Sequence, residues 1–343
     1  MLFKFRNSKS FGINLGTCNT LIASGDQMLI NEPSIVAVQA KSNQVLAVGN
    51  QAMLLHEKTD SSKVKISFPL KSGVIADFSM AEIMIKSFVS QIKKLENKLF
   101  LNNFSMLFCV PSNITEVEKR AIIDVGSNSG AGEVLMMFRP MAVAIGSGLD
   151  VLSPEGLMIV HIGGGITEIA IISLGGIVYD FSIRTAGNSF NQDIIDFIKK
   201  EFNLLIGDRT AEAIKIKIGA VIPDSEEENS KLRIVGKDLF TGIPRSIQIG
   251  SVDVALALDK STSRIEEAII KVLENSPPEL AADFHIKGIY LSGGGALLRG
   301  IKQRLENKTR LKVNHVNNPL HASVYGTTTV LKDRKKYKSL FIR

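Results

Sequence analysis

Gly12-Ile13-Asn14-Leu15-Gly16-Thr17-Cys18-Asn19-Thr20-Leu21-Ile22-Ala23 and Val160-His161-Ile162-Gly163-Gly164-Gly165-Ile166-Thr167-Glu168-Ile169-Ala170 are two versions of one pattern: an apolar run, a glycine turn and a second apolar run. Laying Asn14 on His161 also superimposes Gly16 on Gly163, Thr20 on Thr167, Ile22 on Ile169 and Ala23 on Ala170. The repeat reads as a chain of two related halves. Each copy predicts a strand, a tight turn and a second strand, because glycine lacks the Cβ that bars positive φ and lets backbone N–H groups approach a ligand. Two such turns facing each other across a cleft hold a polyphosphate from both sides. Either turn alone is equally an ordinary β-hairpin. A third turn shifts the balance: Ile289-Tyr290-Leu291-Ser292-Gly293-Gly294-Gly295-Ala296-Leu297-Leu298-Arg299-Gly300 is an apolar run, a triple glycine and a helix-like stretch, the strand–turn–helix context that suits a nucleotide's sugar or phosphate.

At these residues the chain resembles the MreB family of bacterial actins, within the actin, Hsp70 and sugar-kinase superfamily. The resemblance runs from about Gly12 to about Val330 and includes Asn31-Glu32-Pro33-Ser34, the run from Pro69 to Phe78, Pro111-Ser112-Asn113-Ile114-Thr115-Glu116-Val117-Glu118, Asn203 to Glu212 and Pro277 to Asp283. It implies an α/β chain with the actin-like ATPase fold, two duplicated ribonuclease-H-like domains around a nucleotide cleft. The first domain is expected over 1–150, with a subdomain IB near 32–67. The second is expected over 151–330, with a subdomain IIB near 184–236, and a basic tail follows over 331–343.

Composition agrees with this class. A chain of 343 residues, 45% hydrophobic and 22% charged, buries a large core in two domains and is neither disordered nor fibrous. The two cysteines, Cys18 and Cys109, show no pairing or metal spacing, as in a reducing cytosol. The longest apolar region, Gly156 to Ile183, is broken by His161, Glu168 and Asp180 and reads as sheet strands, while Met1 to Arg6 lacks the apolar core of a signal peptide. Patterning predicts strands near 11–16, 19–24, 28–31, 34–40 and 45–48, a helix near 79–96, a strand at 104–110, a helix near 115–130, a strand at 134–138 and a helix near 140–148. In the second half it predicts strands near 157–162, 167–173 and 176–184, helices at 187–202 and 208–220, a hairpin near 231–249, helices at 250–258 and 261–275, and a strand at 287–291. Pro223 to Lys231 reads as an exposed acidic loop.

The resemblance assigns Asn14, Gly16, Thr17, Cys18 and Asn19 to the first phosphate turn and His161, Gly163, Gly164 and Gly165 to the second. It assigns Gly293, Gly294, Gly295, Ala296 and Leu297 to the nucleotide site as well. Glu212, Ala213, Ile214 and Lys215 match a Glu-Glu-x-Lys patch that contacts the nucleoside, with Ala213 in place of the second glutamate. ATP or ADP is the implied cofactor. Family members carry aspartates at the positions of Asn14 and His161, where carboxylates organise the water shell of Mg2+. Mg2+ prefers hard oxygen ligands, whereas Asn14 lacks charge and His161 offers nitrogen, so the metal is weakly supported and no metal-binding residue is assigned. Glu118 matches the glutamate that positions the attacking water, and Thr167 is the remaining hydroxyl of a Thr-Thr pair whose other member is Ile166. Losing metal organisation and one hydroxyl costs ~10³-fold or more in rate. At most a slow ATPase is expected; the alternatives are an active Mg2+-dependent ATPase, or a non-polymerising nucleotide-binding paralogue or kinase of the superfamily.

Net charge is +7, with basic residues concentrated at both ends. Lys4, Arg6 and Lys9 accompany Leu2, Phe3 and Phe5, and Lys332 to Arg343 includes Tyr337, Leu340, Phe341 and Ile342. Each cation near an anionic bilayer is worth ~1 kcal/mol. The interleaved apolar residues favour a membrane over nucleic acid, and Leu99 and Phe100 match an apolar loop by which MreB proteins insert into the bilayer; the other reading of that pair is a helix cap in the core. The resemblance further implies head-to-tail filaments, alone or with other MreB paralogues, on the inner face of the cytoplasmic membrane, guiding the cell-wall and shape machinery.

Overall fold

The computed structural model describes residues 9–56, 62–95, 104–223 and 230–342. Two compact units emerge, one built from residues up to Leu152 together with His321 onward, the other from Ser153 to Leu320.

In the first unit β1 (Ser10–Leu15), β2 (Asn19–Ser24) and β3 (Gln27–Pro33) form an antiparallel meander. A small layer follows: β4 (Val36–Gln39), β5 (Val45–Val48), α1 (Asn50–His56) and β6 (Val64–Ser67), packed around Ile35, Ala37, Ala47 and Ala52. After the short pair β7 (Leu70–Lys71) and β8 (Val74–Ile75) come α2 (Phe78–Leu95), β9 (Phe104–Val110), α3 (Glu116–Asn128), β10 (Ala131–Phe138) and α4 (Arg139–Gly146). The main sheet has the order β10-β9-β1-β2-β3, with β9 parallel to both β1 and β10. Parallel neighbours need crossovers, which α2 and α3 supply. Helix α2 buries Ala81, Met84, Ile85, Phe88, Val89 and Ile92, the spacing of a single helical stripe.

The second unit repeats the plan. Strands β11 (Leu157–Ile162), β12 (Thr167–Ser173) and β13 (Gly176–Ile183) form the meander, followed by α5 (Gly187–Phe202), β14 (Leu204–Leu205), α6 (Asp208–Ile218), β15 (Lys231–Asp238) and β16 (Pro244–Gly250). Then come α7 (Ser251–Glu274), α8 (Pro278–Lys287), β17 (Ile289–Ser292), α9 (Ile301–Thr309) and β18 (Val313–His315). The sheet order β13-β12-β11-β17-β18 has β17 parallel to β11 and β18, matching β3-β2-β1-β9-β10 strand for strand. The duplication read from two glycine turns therefore extends to whole sheets.

Several elements differ from the sequence expectation. The two helices expected at 250–258 and 261–275 are one helix, α7, of 24 residues; the polar interruption is absorbed because the Thr262 hydroxyl donates to Leu258 O within the helix at 2.8 Å. The hairpin expected near 231–249 is β15–β16, from Lys231 to Gly250, while most of the acidic segment, 224–229, lies outside the described residues. Helices α1, α8 and α9 and the last helix, α10 (Ala322–Lys332), were not expected. Chain from His321 onward belongs to the first unit, not to a second domain ending at 330. The reason is close packing. A Cβ on Gly326 would lie 1.8 Å from Ala142 O and one on Gly146 1.9 Å from Ala322 O, so α10 and α4 approach to backbone distance. The basic tail expected over 331–343 packs on this unit as far as Ile342: Arg334 pairs with Glu133 at 2.6 Å and donates to Ser10 and Ser105, Leu340 is buried, and Ile342 N–H donates to Met136 O at 2.9 Å along the edge of β10.

Candidate functional site

The first turn joins β1 to β2. Gly16 N–H donates to Asn19 O at 3.1 Å, and a Cβ on Gly16 would lie 2.6 Å from that oxygen, so the turn requires glycine. Ser34 braces it: its hydroxyl donates to Gly16 O at 2.7 Å, its N–H to Cys18 O at 2.8 Å, and its Oγ lies 2.9 Å from Thr20 Oγ1. The Thr17 hydroxyl oxygen accepts from Gly73 N–H at 2.8 Å, which ties the β7–β8 turn to the same place. Cys18 and Asn19 are exposed, and Asn14 is buried with its Oδ1 accepting from the Cys109 thiol at 3.4 Å. Glu118 sits in the first turn of α3 within a capping box. Its Oε2 accepts from both Thr115 N–H and Thr115 Oγ1 at 2.8 Å, while Glu118 N–H donates back to Thr115 Oγ1.

In the second unit the turn after β11 is closed by Gly163 N–H donating to Ile166 O at 3.0 Å. The start of α5 holds it from behind, with Gly187 N–H on Gly163 O at 3.0 Å and Asn188 N–H on Gly164 O at 2.7 Å. Lys215 Nζ donates to Gly187 O at 3.1 Å and to Glu212 Oε2 at 2.7 Å, and Asn191 donates to the same Glu212 oxygen at 2.7 Å. The turn, the start of α5 and the Glu212–Lys215 patch on α6 therefore form one hydrogen-bonded assembly. Gly293 has φ +86, and a Cβ there would lie 2.2 Å from Ile162 O, which seats the triple-glycine turn against the end of β11. His161 completes the link, its Nδ1 3.4 Å from Ser292 Oγ.

The structure thus brings together, within this unit, His161, Gly163, Gly164, Gly165, Glu212, Lys215 and the 293–297 turn. Ile214 belongs to the core, wholly buried, and Ala296 is likewise buried, whereas Gly294 and Leu297 are exposed. Thr167 is wholly buried, its hydroxyl donating to Thr185 O at 2.7 Å. Sequence reading missed Ser34, Gly187, Asn191 and Ser292. Ser292 directly precedes a motif glycine, a signal within reach; the other three are revealed only by their partners. The residues Leu2, Phe3, Phe5, Leu99 and Phe100 lie outside the described residues. Among the described residues no helix is long and apolar enough to cross a membrane.

Neither Asn14 nor His161 offers Mg2+ a charged oxygen. Asn14 is uncharged with its oxygen engaged by a thiol, His161 presents nitrogen, and no group of three or more His, Cys, Asp or Glu among the described residues is placed to hold a metal ion.

Comparison with known proteins gives these turns their context. A family model described as MreB/Mbl protein matches residues 8–339. The chain is 43% identical over 330 residues to the cell shape-determining protein Mbl of Bacillus subtilis, covering 96% of this chain and 97% of that one. It is 40% identical over 333 residues to the cell shape-determining protein MreB of Escherichia coli, covering 95% and 94%. Among solved structures, MreB5 of Spiroplasma citri bound to ADP superimposes with a TM-score of 0.90 at 34% identity, over 97% of this chain and 99% of that one, and the same protein bound to AMPPNP also gives 0.90. The subunit of a MamK double helical filament, 21% identical with a TM-score of 0.79 over 95% and 99% of the two chains, shares the fold. With the actin-like fold, the duplicated sheets and end-to-end similarity all in agreement, the chain belongs to the MreB/Mbl family.

Proposed function

We propose that this chain is a filament-forming bacterial actin that governs cell shape at the inner face of the cytoplasmic membrane, binds ADP and ATP through its glycine turns, and hydrolyses ATP slowly or not at all. The observation that carries nucleotide binding is the assembly of the 163–165 turn, the start of α5 and the Glu212–Lys215 pair, in a chain that superimposes on a relative solved with ADP and with AMPPNP. Helix N-termini and glycine turns hold phosphate through backbone groups that no side-chain substitution removes. Slow turnover follows from the side chains: Asn14 and His161 in place of carboxylates, Ile166 in place of a hydroxyl, the Thr167 hydroxyl spent on Thr185 O, and a Glu118 oxygen spent on the helix cap. Nucleotide then acts as a structural ligand of the filament subunit.

Self-association is the family's theme, head to tail and open-ended, with other MreB paralogues as further partners and the cell-wall machinery as the process served. At the membrane, the exposed Lys332, Lys335, Lys336 and Lys338 supply charge, while Leu340 is buried and Ile342 packs on the core. Apolar insertion falls instead to Leu2, Phe3, Phe5, Leu99 and Phe100. Sedimentation of purified protein with and without anionic liposomes, in no nucleotide, ADP, or ATP with Mg2+, tests the reading while phosphate release is followed in the same tubes. Pelleting with little phosphate release, and liposome-dependent pelleting lost on replacing Leu99 and Phe100 by alanine, is the expected result. Protein that stays in the supernatant throughout overturns self-assembly, and brisk Mg2+-dependent phosphate release overturns weak turnover.

A further inference from the structure

Strand β16 is an outer strand of the three-stranded sheet β14-β15-β16, and among the described residues no strand pairs with its other edge. What that edge presents follows from the register. Asp238 N–H donates to Ile243 O at 3.0 Å, so this pair is bonded across the hairpin, and antiparallel alternation turns the main chains of Arg245, Ile247 and Ile249 toward β15. The main chains of Pro244, Ser246 and Gln248 face outward. Gly250, next in the outward series, agrees: its N–H donates to Asp253 Oδ2 at 2.7 Å. Pro244 has no N–H and stands where the ladder loses nothing. The exposed Ser246 and Gln248 therefore hold out N–H and C=O groups at the spacing that a further strand bonds.

The two faces of the hairpin fix the chemistry of such a strand. One face carries Lys231, Arg233, Val235 and Lys237 with Ser246 and Gln248, all exposed. Arg233 leans diagonally across β16, its Nη2 donating to Ser246 Oγ at 2.9 Å, which brings the guanidinium toward the open edge. Asp238 lies on the opposite face and pairs with Arg245 at 2.9 Å, so it neutralises none of these cations. Asp224 and Glu226 to Glu228, which precede β15 in sequence, lie outside the described residues. On the opposite face Ile247 is half-buried and Ile249 buried, and Ile249 lines a small apolar groove with Phe197 of α5 and Val254 and Ala257 of α7. Asp253, also in that lining, disfavours a second carboxylate there. An added strand shares both faces. Its residues opposite Ser246 and Gln248 meet the cations, and those between them meet the apolar side.

We propose that β16 is a docking edge for an extended segment of a partner protein, acidic at alternate positions and apolar between them, which joins the sheet as a strand. A second copy of β16 is the wrong occupant, since it sets Arg233 against Arg233, and Pro244 with the cations protects the edge from such pairing. A fluorescein-labelled peptide of about ten residues alternating Glu and Val, followed by anisotropy with the full chain, tests it. It should bind, and more weakly as salt rises. The same composition with Glu and Val in separate blocks, or a peptide alternating Lys and Val, should bind about tenfold more weakly or worse. Arg233→Glu should weaken the Glu peptide by about tenfold and tighten the Lys peptide. Gln248→Pro removes an outward N–H and no ladder bond, and should also cost about tenfold. Melting curves of both variants establish that they fold. Equal binding of the alternating and block peptides, or wild-type affinity in Gln248→Pro, overturns strand addition. A single-stranded oligonucleotide, or vesicles of anionic lipid, that displaces the peptide and binds more tightly through Arg233 overturns the peptide as occupant. Absence of peptide binding overturns the proposal outright, and every one of these outcomes leaves the nucleotide turns as they stand.

Discussion

Replacing Gly326 by alanine should destabilise the first unit although alanine is the better helix former. The added Cβ would stand 1.8 Å from Ala142 O, 2.6 Å from its carbonyl carbon and 3.0 Å from its Cα, all backbone atoms of α4. No rotamer change relieves a backbone clash, and an unstrained C···O contact needs about 3.3 Å, so α10 must retreat by about 1.5 Å. The retreat is resisted elsewhere, because α10 also lies against β1, where a Cβ on Gly12 would be 2.1 Å from Thr327 Oγ1. Alanine gains about 1 kcal/mol of helix propensity, while overpacking at a rigid contact costs about 3 kcal/mol or more, leaving about 2 kcal/mol of net destabilisation. In urea unfolding followed by far-ultraviolet circular dichroism, with a slope of about 2 kcal/mol per molar, the midpoint should fall by about 1 M. Gly176→Ala is the control, since its Cβ would meet only Ser173 O at an ordinary 3.6 Å, and its change should stay within about 0.5 kcal/mol. A Gly326→Ala midpoint equal to or above that of the wild type refutes the close-packing argument.

Two further outcomes are expected. Thr115→Ala and Glu118→Ala should each lower stability by about 1 kcal/mol through loss of the capping box, and a urea midpoint unchanged in both variants contradicts it. Burial raises the Asp193 carboxyl above the ordinary range, only partly offset by the Ser261 hydrogen bond, and its Oδ2 is buried without a hydrogen-bond partner. A folded-state pKa above the unfolded one means that the anion costs stability at neutral pH and that the cost disappears as pH falls through the raised value. Asp193→Asn should therefore be more stable than the wild type at neutral pH, by less than about 1 kcal/mol, with the advantage shrinking in acid; urea midpoints across pH check it, and an advantage that grows in acid contradicts it.

The sequence by itself determined the duplication, because the strand–glycine–strand pattern is local: apolar alternation and a turn that only glycine tolerates are written in consecutive residues. It also contained the capping box, since Thr115 and Glu118 stand at the required spacing, and the departures at Asn14 and His161, which are matters of residue identity alone. The partners of those residues are a different kind of information. That Ser34 braces Gly16, that Lys215 reaches Gly187 O, and that Ser292 lies against His161 depend on chain segments 18, 28 and 131 positions apart meeting in space. The placement of α10 is the clearest case. Ala142 and Gly146 on one helix and Ala322 and Gly326 on another are small residues at one-turn spacing, which any exposed or buried helix can carry. Only the tertiary structure, by bringing the two backbones to within a glycine's width, made the end of the chain part of its first half.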